Sequence, residues 1–260
     1  MYLLLIAFVS LIASLLTFFS GFGLGTLLSP VLVLFFPIQL AIAGTAVVHF
    51  LNNCFKLALM YKHISWPVFI RFSIPAGIAA IGGAYLLILL GELKELFSYN
   101  FMNREFVVTP IKLVVGIIFI IFSFSEISKK LKGLEIPKRY LSIGGLISGF
   151  FGGLSGNQGA FRAAFLLKSG LDKKAFIATG VVSACVVDFV RLTIYFLLIK
   201  SIEISFSNEL TLAVGIATIA AFSGALIGRH YLEKITMGGI QLMVSMLMLF
   251  IGLSLSLGLL

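Results

Sequence analysis

Two glycine-broken stretches decide the reading of this chain: Ser20-Gly21-Phe22-Gly23-Leu24-Gly25 and Ser155-Gly156-Asn157-Gln158-Gly159. Each interrupts a long apolar run near its middle, where a membrane helix should be continuous. Backbone that leaves the helix at membrane depth exposes N–H and C=O groups. Such backbone is tolerated only when buried in protein or lining a wet cavity. Two such breaks, in matching places of two halves, are the sequence mark of a transporter's substrate site.

The surrounding composition fits a membrane protein. Of 260 residues, 60% are hydrophobic and only 11% charged, and the mean hydropathy is +1.15. A soluble domain of this size does not have that balance. The net charge of +9 does not call for nucleic acid, because Lys and Arg sit in short loops between apolar runs, as the positive-inside rule expects. The two cysteines, Cys54 and Cys185, lie inside apolar runs and read as small core residues rather than a disulfide framework. The N-terminus is apolar from Tyr2 and lacks a basic n-region, so it reads as a membrane element and not a cleaved signal. The expected location is the cell membrane, as a multi-pass protein surrounded by the lipid bilayer.

Eight apolar stretches can be drawn, at 2–36, 39–60, 67–90, 107–127, 140–167, 175–198, 207–228 and 236–260. Six have ordinary spanning length, about 20 residues. The first and fifth are longer and carry the breaks. Each could cross once as a broken helix, giving eight spans. Alternatively, each could fold back as a hairpin, giving six spans and two re-entrant hairpins. Loop charge discriminates. The loop 128–139 holds Lys129, Lys130, Lys132, Lys138 and Arg139, and is placed in the cytoplasm. With eight spans, Lys62 and Lys200 join it, making 7 basic residues inside. Lys94, Arg104, Lys168, Lys173, Lys174, Arg229 and Lys234 make 7 outside. With hairpins, Lys168, Lys173, Lys174, Arg229 and Lys234 move inside and Lys200 moves out, giving 11 against 3. Only the hairpin threading obeys the rule.

A hairpin plus three spans is an odd number of crossings, so the second half enters in the opposite orientation. The halves resemble each other at an offset of 134 residues. That offset aligns Gly25 with Gly159, Leu32 with Leu166 and Thr45 with Thr179. It also aligns Val47-Val48 with Val181-Val182, Phe55 with Phe189, and Tyr61 with Tyr195. The expected fold is an all-α integral membrane protein of two inverted repeats, 1–127 and 140–260, joined by the basic linker 128–139. Each repeat is a re-entrant helical hairpin plus three transmembrane helices.

At these residues the sequence resembles the TauE/SafE family of sulfite-exporter-like membrane permeases. The family pattern is a glycine-rich break followed by a Pro and a Leu, once in each half. Here it reads Gly21-Phe22-Gly23-Leu24-Gly25 with Pro30 and Leu32, then Gly152-Gly153-Leu154-Ser155-Gly156-Asn157-Gln158-Gly159 with Leu166. Ala43-Gly44-Thr45 and Ala178-Thr179-Gly180 resemble it too. The chain departs from the pattern at Leu24, which interrupts the first glycine run, and at Ala164, where the second Pro would stand. The resemblance implies transport of sulfite, sulfonates or related sulfur anions.

The residues at the breaks suit an anion. A half-helix starting near Ala160 has free first-turn N–H groups and the positive end of its dipole. Arg162 lies in that first turn, beside Asn157, Gln158 and Gly159. A planar guanidinium beside free N–H groups receives an oxyanion well. The first break offers the matching start at Gly23, Gly25 and Thr26. The plainer alternative is that the glycines only let helices pack closely and that Arg162 reaches an interface. Thr45 and Thr179 could offer hydroxyls to substrate or bond their own helices. Asp188 and Arg191, three apart, can pair as an internal ion pair or serve as a relay or gate. His49, Asn52, Asn53 and Lys56 form a polar patch, either for proton coupling through His49 or for hydrogen bonding between helices.

One enzyme reading competes. Gly153-Leu154-Ser155-Gly156 matches the Gly-x-Ser-Gly of rhomboid-type intramembrane proteases, which need a later membrane His as base. The only later one is His230, in an expected loop. No catalytic residue, metal cluster, phosphate loop or nucleotide motif is read, so no cofactor is expected and any active transport is secondary. The expectation is a secondary transporter of a small anion working by alternating access, with Asp188 or His49 carrying a proton if transport is proton-coupled. An anion channel built on the same site is the alternative. Homodimers are common among such permeases, but no stretch marks an interface.

Overall fold

The computed structural model describes residues 2–20, 23–101, 104–127, 136–167, 169–199, 207–231 and 238–260. Gly21 and Phe22 of the first break, most of the basic linker (128–135), and Lys168, Lys200 and Lys234 of the loop-charge argument lie outside the described residues.

The first long stretch divides into α1 (Tyr2–Ser20) and α2 (Leu24–Val33), followed by α3 (Ile38–Met60), α4 (Trp66–Glu92) and α5 (Pro110–Ile127). The fifth divides into α6 (Leu141–Ser155) and α7 (Gly159–Leu166), followed by α8 (Lys173–Ile199), α9 (Asn208–Tyr231) and α10 (Gly238–Ser256). The protein is an all-α membrane protein. Four helices, within 38–63, 66–92, 173–198 and 208–229, are long and apolar enough to cross a bilayer, and shorter apolar helices accompany them.

Both broken stretches fold back. The ring of Tyr2, at the start of α1, lies 5.5 Å from that of Phe35 and 6.3 Å from that of Phe36, just past α2. At the second break, the N–H of Ile136 donates to the carbonyl of Ala164 at 3.4 Å. A Cβ at Gly144 would also collide with the ring of Phe165. Entry and exit of each segment therefore lie together, which a helix crossing once would not allow.

The offset of 134 pairs α1 with α6, α2 with α7, α3 with α8, α4 with α9 and α5 with α10. Packing follows that exchange. Helix α4 packs on α6 as α9 packs on α1, and α4 packs on α8 as α9 packs on α3. The paired helices that touch run antiparallel. His49 meets Asp188 and Ser65, just past α3, meets Thr179, so position falls along α8 as it rises along α3. In α5 and α10, Gly116 faces Gly252 and Ser123 donates to the carbonyl of Ser245 at 2.6 Å.

Close approach depends on glycine. Cβ atoms at Gly145, Gly149 and Gly153, one turn apart on α6, would collide with the carbonyls of Phe72, Ala76 and Ala80 on α4. This is a small-residue seam of the membrane type. One element goes beyond the sequence reading. The segment between α4 and α5 forms an antiparallel hairpin of β1 (Phe97–Phe101) and β2 (Arg104–Val108). The rings of Tyr99 and Phe106 stack at 5.4 Å, and the Tyr99 hydroxyl donates to the carbonyl of Leu257 at 2.7 Å.

Gly149→Ala forces α6 away from α4 and is expected to destabilise the protein by about 1–3 kcal/mol. Gly82→Ala, where an added Cβ meets nothing within 4 Å, should leave the melting temperature unchanged. Thermal unfolding in detergent compares the two.

Candidate functional site

The two breaks meet. A Cβ on Gly25 would lie 3.1 Å from the carbonyl oxygen of Gly156, and one on Gly23 would lie 3.2 Å from Nε2 of His49. Gly156 ends α6 in the left-handed region, at φ 81°, a conformation glycine adopts without steric cost. Its N–H returns to the carbonyl of Gly152 at 3.0 Å. Gln158 then caps α7, accepting from the N–H of Arg162 at 3.0 Å and from the Ser148 hydroxyl at 3.0 Å. Half-helices thus start at Leu24 and Gly159, within two residues of the starts expected from sequence.

Between them lies a cavity. Thr17, His49, Asn53, Lys56 and Arg162 supply its polar lining. Leu24, Leu166, Phe176, Ile177 and Val181 are among its apolar lining. Arg162 is 5% exposed, and Gly180 leaves room beside its Nε. Lys56 donates through Nζ to the carbonyl of Ser14 at 3.4 Å.

Behind the cavity, Asp188 on α8 gathers four side chains. His49 donates through Nδ1 to Oδ2 at 2.6 Å, and Asn53 donates to the same oxygen at 3.4 Å. Gln158 donates through Nε2 to Oδ1 at 3.1 Å. Arg191 donates to Oδ1 through Nε at 3.0 Å, with Nη2 at 2.7 Å. The carboxylate fixes a proton on Nδ1 of His49, which leaves Nε2 to accept from Asn53 at 3.2 Å. Arg191 also donates through Nη1 to the carbonyl of Gly152 at 3.2 Å. Every member is buried.

Of the residues singled out from sequence, His49, Lys56 and Arg162 line the cavity, and Gln158, Asp188 and Arg191 form the network behind it. Asn157 sits at the break, 0% exposed, with no hydrogen-bond partner for either side-chain polar atom among the described residues. Asn52 faces α1 and α9 instead. With its amide oxygen toward Lys56 at 3.3 Å, its nitrogen reaches the carbonyl of Ala221 at 3.3 Å. The hydroxyls of Thr26 and Thr45 donate to Gly23 at 2.7 Å and Ala41 at 2.8 Å, within their own segments. Thr179 accepts from the N–H of Ser65 at 3.0 Å, at the start of α4. Ser155 is buried, and its hydroxyl donates to the carbonyl of Phe151 at 3.1 Å. Sequence reasoning passed over Ser14 and Thr17. Their signal was a stripe on α1, since Ser10, Ser14 and Thr17 fall on one helix face and are all buried.

The family model described as Sulfite exporter TauE/SafE matches residues 6–255, and the chain belongs to that family. It is a family of membrane transporters and not of enzymes. No curated protein and no solved structure matches the chain.

Asp188→Ala leaves the buried Arg191 guanidinium without its counter-charge and is expected to cost about 3–5 kcal/mol. Thr179→Val, which removes one acceptor, should cost about 1–3 kcal/mol. The double variant Asp188→Ala with Arg191→Ala removes the stranded charge and should recover part of the loss. Melting temperatures of the purified variants test that order. An Asp188→Ala protein as stable as Thr179→Val would contradict the network's role.

Proposed function

We propose that this member of the TauE/SafE family moves a small anion, sulfite or an organosulfonate, through the cavity between its two breaks by alternating access. The observation that carries the proposal is Asn157. A side-chain amide fully buried where the two breaks meet, with neither polar atom bonded among the described residues, costs free energy unless something else binds it. Beside it, Gln158 keeps a buried Oε1 with no hydrogen bond among the described residues. Arg162 and the N-termini of α2 and α7 supply the positive potential that selects an anion. Gly23, Gly25 and Gly159 let backbone approach the ligand.

The cavity lining combines the cationic Lys56 and Arg162 with aliphatic and aromatic side chains. That lining suits an oxyanion head carrying a short apolar part as well as sulfite itself. The proton carrier in this reading is His49 with Asp188, whose shared hydrogen bond joins α3 of the first half to α8 of the second.

Alternating access needs two halves that exchange roles. The antiparallel contacts of α3 with α8 and of α5 with α10 support an inverted repeat of 1–127 and 140–260 around the linker 128–139. The cell membrane is the proposed location.

The test is radiolabelled sulfite uptake and counterflow in proteoliposomes, with and without a pH gradient. Sulfate, thiosulfate, sulfoacetate and taurine serve as competitors. Saturable, competed flux is expected. Arg162→Ala should lower it at least about 100-fold, the loss of one charge-assisted contact of roughly 3 kcal/mol, while inserting normally. Wild-type flux in Arg162→Ala would remove the cavity from the transport path.

A further inference from the structure

The break at Ser155-Gly156 ends α6, and two side chains of α8 donate to carbonyls of its last turn, beside the Gly156 N–H that also reaches Gly152. Arg191 donates to Gly152, as described. One turn further on, the hydroxyl of Tyr195 donates to the carbonyl of Gly153. Asp188, Arg191 and Tyr195, at i, i+3 and i+7, lie on one face of α8. Asp188 holds the start of α7 through Gln158, while Arg191 and Tyr195 hold the end of α6. Both sides of the second break therefore hang from one face of one helix.

We infer that Tyr195 is a positioning residue for the second break, acting through its hydroxyl. Phenylalanine would fill the same space without needing a partner for a buried O–H, and Tyr195 is 2% exposed. The repeat does not demand a tyrosine there for packing. Its counterpart Tyr61 lies in the short 3-10 turn Tyr61–His63 after α3 and is 57% exposed. The hydroxyl serves the half that carries Asn157, Gln158 and Arg162. The consequence for transport rests on the function proposed above; the consequence for the break does not.

The experiment is Tyr195→Phe, measured two ways. Hydrogen exchange followed by mass spectrometry reads the amides around 154–159, and sulfite uptake reads KM against maximal rate. The exchange is expected to rise about 3- to 10-fold at the break and nowhere else, as loss of a single hydrogen bond dictates. KM should rise by a similar factor with the maximal rate within about twofold, because the site loses its shape and not its charges. Unchanged exchange at the break would overturn the assignment. Acceleration spread evenly over the helices would overturn it too, because that is loss of fold. Local acceleration with unchanged KM, in a protein that does carry sulfite, would sever Tyr195 from the site. If the wild type carries no sulfite, the sulfite reading fails by itself, and local acceleration in Tyr195→Phe still supports the positioning role.

Discussion

The carboxylate of Asp188 is the point on which the interior depends. Its two oxygens accept from His49 on α3, Gln158 at the second break and Arg191 on its own helix. A buried carboxylate without partners is heavily penalised, and so is a buried guanidinium. Each makes the other tolerable here, and Gln158 and His49 complete the set. The arrangement couples elements that the chain separates by up to 139 residues. It also ties the second break to α8, a helix of 27 residues.

Glycine makes the same interior possible by leaving space. At Gly156 one residue meets two demands. The backbone is left-handed, and an added Cβ would lie 2.8 Å from Nη1 of Arg191. Any side chain would strain the turn and also displace the guanidinium that caps Gly152. Gly145, Gly149 and Gly153 have a separate task, letting α6 lie against the backbone of α4. Of the two explanations offered by sequence for the glycines, close packing accounts for Gly145, Gly149 and Gly153.

Much of this was legible before the structure. Apolar runs gave the helices to within a few residues, because burial of about 20 residues in lipid leaves little freedom in length. The breaks were legible because Gly and polar side chains are costly inside such runs, and loop charge favoured hairpins that the structure contains. The pairing of Asp188 with Arg191 followed from spacing along one helix. Its bond to His49 did not, because nothing local in a sequence encodes the register of α3 against α8. Thr26, Thr45 and Thr179 show the opposite failure. A hydroxyl at membrane depth can bond a ligand or a nearby backbone group, and the residue type is the same in either case. The hairpin at 97–108 was missed because two five-residue strands give too short an alternation to stand out between apolar helices.

The halves match in packing but not in chemistry, and that difference bears on how the site can work. At the offset of 134, the counterparts of Arg162, Asp188 and His49 are Leu28, Cys54 and Ser183. A symmetric fold with symmetric charges would hold two equivalent sites and bury twice the charge in lipid, at a cost on insertion of about 2.5–3.5 kcal/mol for each added Arg or Asp. Here the second half supplies Asp188 and both buried arginines, and the first supplies His49, Lys56 and an uncharged half-helix. The alternating access proposed above needs only that the packing of the two halves correspond, and the helix contacts do correspond. The asymmetry of the side chains gathers His49, Lys56, Arg162, Asp188 and Arg191 into one buried region between the halves, where the anion of the proposed function would be met from both sides.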